Sequence, residues 1–297
     1  MTFTTTATVS TGLLDIGFEA AGPSDGPVAV LLHGFPYDVR CYDGVAARLA
    51  AQGVRVIAPY LRGFGPTRFR AATTPRSGQQ AALGQDLLDL LDALELDRAV
   101  VGGFDWGGRA ACIAAAVAPD RIKGLVTVGG YNVQDIANAN RPSPPEFESA
   151  AWYTHYFMTE RGRQGLERYR DALCKLLWTQ WSPGWRDAEA AFGATAPSLA
   201  NPDFVELVIH SYRHRRQAAA GDPRYAALEA RLAERPRIGV PTIALDALAD
   251  GLGADDSEDD RAMFTGRFEI RRLDGVGHNP PQEQADAFAD AVLALLK

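Results

Sequence analysis

The segment Arg98-Ala-Val-Val-Gly-Gly-Phe-Asp-Trp-Gly-Gly-Arg-Ala runs from an apolar stretch directly into an alanine-rich one, with Asp105 at the centre of a G-x-D-x-G at the junction. A carboxylate there can act as a nucleophile if a sharp strand-to-helix turn lifts it clear of the backbone. Such a turn leaves no room for side chains two positions to either side, which gives Gly103 and Gly107 a steric reason to be glycine. Aspartate is also a common helix N-cap. Asp105 is singled out by the order of its candidate partners along the chain: nucleophile, then acid, then histidine. Asp250 comes after the apolar run Thr242 to Leu245, and His278 comes after Phe268 to Leu273, inside Gly275-Val-Gly-His-Asn. Asp246 competes with Asp250 for the acid. Asp250 is preferred because an orienting carboxylate belongs just past the strand end.

Those residues need a sheet to align them, and the apolar runs supply one. Val28 to Leu32, Val54 to Pro59, Ala99 to Phe104, Leu125 to Val128, Thr242 to Leu245 and Phe268 to Leu273 are each short, continuous and followed by a turn, mostly with a helix-like segment beyond. That is the pattern of βαβ units in a parallel sheet covered on both faces. Two threonine-rich amphipathic stretches at the start suit antiparallel edge strands. From Tyr131 to about Pro236 the alternation gives way to helical, aromatic, proline-marked sequence holding Trp152, Trp178, Trp181 and Trp185. We therefore expect a helical cap at 132–235 inserted into a core formed by 1–131 and 236–297.

The 297 residues, 46% of them hydrophobic, can bury a large core. A formal charge of −7, spread along the chain, disfavours nucleic-acid and anionic-membrane partners. Cys41, Cys112 and Cys174 are odd in number and widely separated, which suggests reduced, buried thiols rather than a disulfide frame or a zinc site. The beginning of the chain has neither the basic nor the apolar region of a signal peptide, and no apolar run could span a bilayer, so a cytoplasmic location is expected.

Gly103-Phe-Asp-Trp-Gly-Gly, the earlier His33-Gly-Phe-Pro, Arg62-Gly-Phe-Gly, Asp250 and Gly277-His together resemble the epoxide hydrolase and haloalkane dehalogenase branch of the α/β-hydrolases. The resemblance implies an α/β-hydrolase fold with a mostly parallel eight-stranded sheet and an inserted helical cap. It also implies an oxyanion hole made of the backbone N–H groups of Phe35 and Trp106. Tyr60 stands where the family usually carries an acidic residue, at a position read as structural.

An aspartate nucleophile narrows the chemistry. Attack on an ester would give only an anhydride, with no advantage over water. Attack on a saturated carbon gives an alkyl-aspartate ester that water, activated by His278, can cleave. An epoxide leaving as alkoxide needs a proton donor, and the resemblance implies two cap tyrosines. Local pattern, a tyrosine before phenylalanine and a tyrosine before arginine, selects Tyr156 and Tyr212, with Tyr153 as the rival of Tyr156. A halide needs only weak donors such as an indole N–H, which keeps dehalogenation of a haloalkane or haloacid as the alternative. Fluoroacetate dehalogenases pair an arginine directly after the nucleophile with another three residues on; here Trp106 fills the first position and only Arg109 remains. A non-catalytic ligand-binding relative is the second alternative. His33, Pro36, Arg109, Trp152, Tyr153 and His155 are expected around the pocket. The expected partner is a small apolar or aromatic substrate, and no metal or organic cofactor is implied, because protein groups fill every role.

Overall fold

The structure, a computed structural model, describes residues 3–297; Met1 and Thr2 of the expected core lie outside the described residues. Strands β1 (Thr5–Ser10) and β2 (Leu14–Ala21) form an antiparallel hairpin, and β3 (Val28–Leu32), β4 (Arg55–Pro59), β5 (Arg68–Phe69), β6 (Ala99–Gly103), β7 (Ile122–Val128), β8 (Thr242–Ala247) and β9 (Phe268–Leu273) follow. The spatial order is β1-β2-β4-β3-β6-β7-β8-β9, with β5 pairing off the path to β2. The sheet therefore has nine strands rather than the expected eight. The extra strand, Arg68–Phe69, is only two residues long and has no apolar run to mark it.

Pairing is parallel from β4 through β3, β6, β7 and β8 to β9, and antiparallel where β2 meets β1, β4 and β5. The inner strands are buried on both faces, as in the Val28–Leu32 and Ala99–Gly103 runs. Edge strand β9 is half-exposed and carries Arg271 and Arg272, charges that discourage pairing with another chain.

The core helices α1 (Asp43–Ala51), α2 (Gln80–Ala93) and α3 (Asp105–Val117) lie between the early strands. Between β7 and β8 come α4 (Pro145–Ala150), α5 (Trp152–Phe157), α6 (Glu160–Trp181), α7 (Ala188–Leu199), α8 (Phe204–Arg215) and α9 (Ala226–Ala233); α10 (Pro280–Glu283) and α11 (Ala285–Leu296) close the chain. Proline opens α4 and α10, where its missing N–H costs nothing. The Thr159 hydroxyl caps α6 by accepting from Gly162 N. α6 departs from helical geometry at Tyr169.

The chain reverses its direction of growth across the sheet at β3, whose neighbours are β4 on one side and β6 on the other. Ligands in open α/β sheets bind outside the carboxyl ends of strands at such a switch point. The loops leaving β3 and β6 meet there. Cys41, Cys112 and Cys174 are buried and unpaired. Among the described residues no helix is long and apolar enough to cross a membrane.

Candidate active site

Asp105 occupies the first turn of α3, directly after β6, with φ +50°. That left-handed conformation is costly for a residue with a Cβ and persists only where the surroundings enforce it. They do so through close packing. A Cβ on Gly107 would fall 1.9 Å from Leu32 O, and one on Gly103 2.4 Å from the Gly107 carbonyl carbon. The β3 loop closes over the same point: a Cβ on Gly34 would meet Asp105 Cβ at 2.6 Å, and Phe35 N donates to Asp105 Oδ1 at 2.7 Å.

The imidazole of His278 faces the other oxygen, with Nε2 3.9 Å from Asp105 Oδ2. Its Nδ1 lies 2.7 Å from Asp250 Oδ2, so Nδ1 carries a proton and Nε2 points at Asp105. Asp250 is fixed in turn by Leu252 N, which donates to Oδ1 at 2.8 Å. Asp246 is buried at the end of β8 and engaged by the backbone and hydroxyl of Ser257, away from the histidine. Burial by itself would lower the His278 pKa. The charge of Asp250, its hydrogen bond, and the charges of Asp105 and Asp255 outweigh this and lift it to about 9.

Residues that sequence reasoning missed hold the histidine loop. Glu283 accepts from Gly277 N, Asn279 N and the Ser182 hydroxyl, while His278 N donates to Ser182 Oγ and to Trp181 O. Gly251 N donates to the same Trp181 carbonyl, so the end of α6 clamps the acid and histidine loops together. The available signal was a glutamate placed five residues after the histidine, on a short helix opened by Pro280.

Asp105, His278, Asp250, Arg109 and Tyr153 line one cavity of about 300 Å³, with Asp255, Arg215, Asn132 and Phe147 also in its wall. Burial and neighbouring Asp250 push Asp255 up to about 7. A larger groove of about 490 Å³ on the helical region, lined by Arg163, Glu206 and His210 among others, shares no residue with this cavity.

The tyrosine assignment from local pattern does not hold for Tyr156. α5 is six residues long, and its buried positions are Tyr153, Thr154 and Phe157. The Tyr156 hydroxyl instead packs against α6, where a Cβ on Gly165 would lie 2.0 Å from it. Tyr153, the rival, lines the same cavity as Asp105: its ring is 5.4 Å from that of Tyr212 and 5.1 Å from that of Trp181. Burial raises the Tyr153 phenol to about 12, opposed by the Arg215 charge and assisted by Asp105. Tyr212, fully buried on α8, is pushed well above the usual phenol range, first by burial, and it feels the Asp105 charge as well. Its ring stands 5.6 Å from that of Phe35 and 6.3 Å from that of Trp106.

Four other expected pocket residues also lie elsewhere. His155 is largely exposed and pairs with Glu148, because it falls on the outer face of α5. The Trp152 indole donates to Gln180 Oε1 near the surface. His33 is buried below the loops, accepting from Leu61 N at Nε2 with Nδ1 on Gly34 O; burial lowers its pKa to about 4, so it is a neutral strut between the β3 and β4 loops. Pro36, after a cis peptide bond, offers its carbonyl to the Trp178 indole. Arg62 is likewise structural, ion-paired through two nitrogens to Asp86. Tyr60 donates to Glu19 Oε1 at 2.6 Å.

No group of three or more His, Cys, Asp or Glu side chains among the described residues is arranged to hold a metal ion. What the cavity offers is a strained carboxylate, a backbone donor to it, an imidazole oriented by a second carboxylate, and a phenol.

The chain is similar to known proteins along most of its length. Residues 27–185 match the family model of the alpha/beta hydrolase fold. A crystal structure from Klebsiella pneumoniae subsp. pneumoniae, provisionally assigned as an epoxide hydrolase, superposes with a TM-score of 0.97 at 44% identity, over 99% of this chain and 98% of that one. Epoxide hydrolase B of Mycobacterium tuberculosis is 30% identical over 64% of this chain and 57% of its own length. A haloalkane dehalogenase of Mycolicibacterium paratuberculosis is 32% identical over 46% of this chain and 43% of its own. The matched segments span 35% to 60% of the length of the curated epoxide hydrolases. With its strand order and relatives taken together, the chain belongs to the α/β-hydrolase fold family, in the epoxide hydrolase branch.

Proposed function

We propose that this protein hydrolyses an epoxide to a vicinal diol through a covalent ester on Asp105, with residues 132–235 serving as a cap over a core formed by 1–131 and 236–297. The observation that carries this reading is the line Asp250, His278, Asp105, joined at 2.7 Å and 3.9 Å inside a cavity that Tyr153 also lines.

In the first step Asp105 Oδ2 forms a bond to a ring carbon and the epoxide C–O bond breaks. The oxygen that leaves takes the proton of a phenol, Tyr153 with Tyr212 beside it. Both phenols hold their protons at neutral pH, and the part of their upward shift that comes from the Asp105 charge falls away as that carboxylate is esterified. In the second step His278 Nε2 removes a proton from water and the oxygen attacks Cγ of the ester. The resulting oxyanion is stabilised by Phe35 N, already bonded to Oδ1, and by Trp106 N. Collapse releases the diol, whose alkoxide oxygen takes the proton from His278, and the proton left on the Asp105 carboxyl passes to the tyrosinate, restoring carboxylate and phenol.

The electrostatics favour this sequence. Asp105 is one of the charges that hold His278 protonated. Once esterified it is neutral, and the imidazole gives up its proton more readily when a base is needed.

One observation favours halide displacement as the second reading: the Trp106 indole N–H is buried and has no protein partner, as a weak halide donor would be. Product analysis separates the two. Wild-type protein should convert epoxides to diols and Asp105→Asn should not; bromoalkane turnover with inert epoxides would select the halide reading.

A further inference from the structure

Two arginines meet in the cavity wall, and Arg215 makes no ion pair with a carboxylate among the described residues. Arg109 lies one turn beyond Asp105 on α3, its Nη2 3.9 Å from Oδ2, and its side chain is 11% exposed. Arg215 comes from the end of α8. Its guanidinium lies 4.2 Å from the ring centre of Tyr212, three residues earlier, while its Nε and one Nη are buried with no protein partner. The two are close enough that, after burial, the Arg215 charge is the main factor lowering Arg109, to about 10. Like charges drawn together with unsatisfied N–H groups are costly unless an anion joins them.

The charges around the cavity indicate what kind of anion. His278 and Asp250 neutralise each other, and Asp105 balances one arginine. Asp255 is turned to Ala247 N, from which its Oδ2 accepts, and is partly protonated near neutrality. At most one positive charge is left over, which suits a monoanion better than a dianion placed beside the nucleophile. The cavity also continues outward. Gln134, Phe147 and Arg215 are shared with an adjoining depression that adds Arg141 and Arg216. The carboxylate there, Asp135, holds Asn138 and lies 3.7 Å from Arg235.

We infer that Arg109 and Arg215 form a carboxylate subsite, so that the substrate is a small epoxide bearing a carboxylate a few bonds from the ring. The planar guanidinium fork matches a carboxylate, and anchoring it there would set the ring carbon in front of Asp105. The epoxide part of this statement rests on the function proposed above; the anion subsite does not.

Isothermal titration of the wild-type protein with sodium propanoate, propanamide and inorganic phosphate tests the subsite without chemistry. Propanoate should bind and propanamide should not, with at least a tenfold loss in Arg215→Met and partial recovery in Arg215→Lys. Equal binding of acid and amide, no binding of either, tighter binding of phosphate, or an unchanged affinity in a folded Arg215→Met would overturn it. Because acid and amide are compared on the wild type, the test survives a variant that does not fold. In parallel, kcat/KM for 3,4-epoxybutanoate should exceed that for 3,4-epoxybutanamide at least tenfold. Propanoate binding with every epoxide inert would sink the hydrolase reading and leave the subsite; amide hydrolysis as fast as the acid's, without propanoate binding, would do the reverse.

Discussion

Asp105 Oδ2 and His278 Nε2 face each other across 3.9 Å, too far for a hydrogen bond. The other carboxylate oxygen is held by Phe35 N. The gap leaves Oδ2 free to attack and Nε2 free to meet water, so one pair of residues can serve two successive steps.

Tyr153 and Tyr212 should divide the work of protonating the leaving oxygen. Tyr153→Phe and Tyr212→Phe are each expected to lower kcat by about 10 to 10²-fold, and the double variant further, within the range for loss of a general acid. Tyr156→Phe should remain within about twofold of wild type, since its hydroxyl packs against Gly165 of α6. Steady-state kinetics on any epoxide the protein accepts would check this; a Tyr156→Phe loss as large as that of Tyr153→Phe would refute the placement.

The His278 pKa, about 9 in the folded chain against 6.5 unperturbed, has a thermodynamic consequence. Between those values the folded state holds a proton that the unfolded state releases. Its contribution to stability is therefore full below about pH 6.5 and is lost as pH rises through about 9. Wild-type Tm should fall across that window, and Asp250→Asn should flatten the fall. Kinetically, single-turnover quench experiments should show ester hydrolysis reaching its plateau below pH 9, because esterification removes the Asp105 charge. A plateau above pH 9 would contradict this.

Asp38 ties the β3 loop to α7, accepting from the Thr195 and Ser198 hydroxyls and from Arg40 N. Burial, opposed by those hydrogen bonds, raises it from 3.8 to about 6. The folded state thus prefers the protonated acid, and the associated stability is present below about pH 3.8 and lost as pH rises through about 6. Asp38→Asn keeps the shape and much of the hydrogen bonding without the buried charge, so at pH 7 its Tm should equal or exceed wild type. Asp38→Ala, which strands two buried hydroxyls, should cost about 1–3 kcal/mol in denaturant unfolding. Equal losses in both variants would show that the charge itself is needed.

Much of the fold was legible because its causes are local. Val28 to Leu32 marks β3 to the residue, since burial on both faces demands a continuous apolar run; Phe268 to Leu273 also marks its strand to the residue, although that edge strand is half-exposed and carries charges. Gly103 and Gly107 announce the elbow, since no side chain fits there. Asp250 and Asp246 both follow the apolar run Thr242 to Leu245 in the sequence; the strand itself extends to Ala247, taking in Asp246 and leaving Asp250 beyond its end. The phase of α5 could not be read: whether Tyr153 or Tyr156 faces inward depends on where a six-residue helix starts and on the space left by Gly165 of another helix. Arg215 was beyond reach for the same reason. It shares a cavity wall with Arg109 only because of how α8 packs, and that packing depends on side chains distant in sequence, such as the Arg213 guanidinium on Phe157 O.

The ester on Asp105 is tested most directly by incubating His278→Gln with an epoxide that the wild type hydrolyses and weighing the intact protein. Without its base the second step should stall. The expected result is a stable mass increase equal to one epoxide, located by peptide mapping to Asp105 and absent from His278→Gln carrying Asp105→Asn. Unmodified His278→Gln protein, under conditions where the wild type forms diol, would contradict the covalent mechanism.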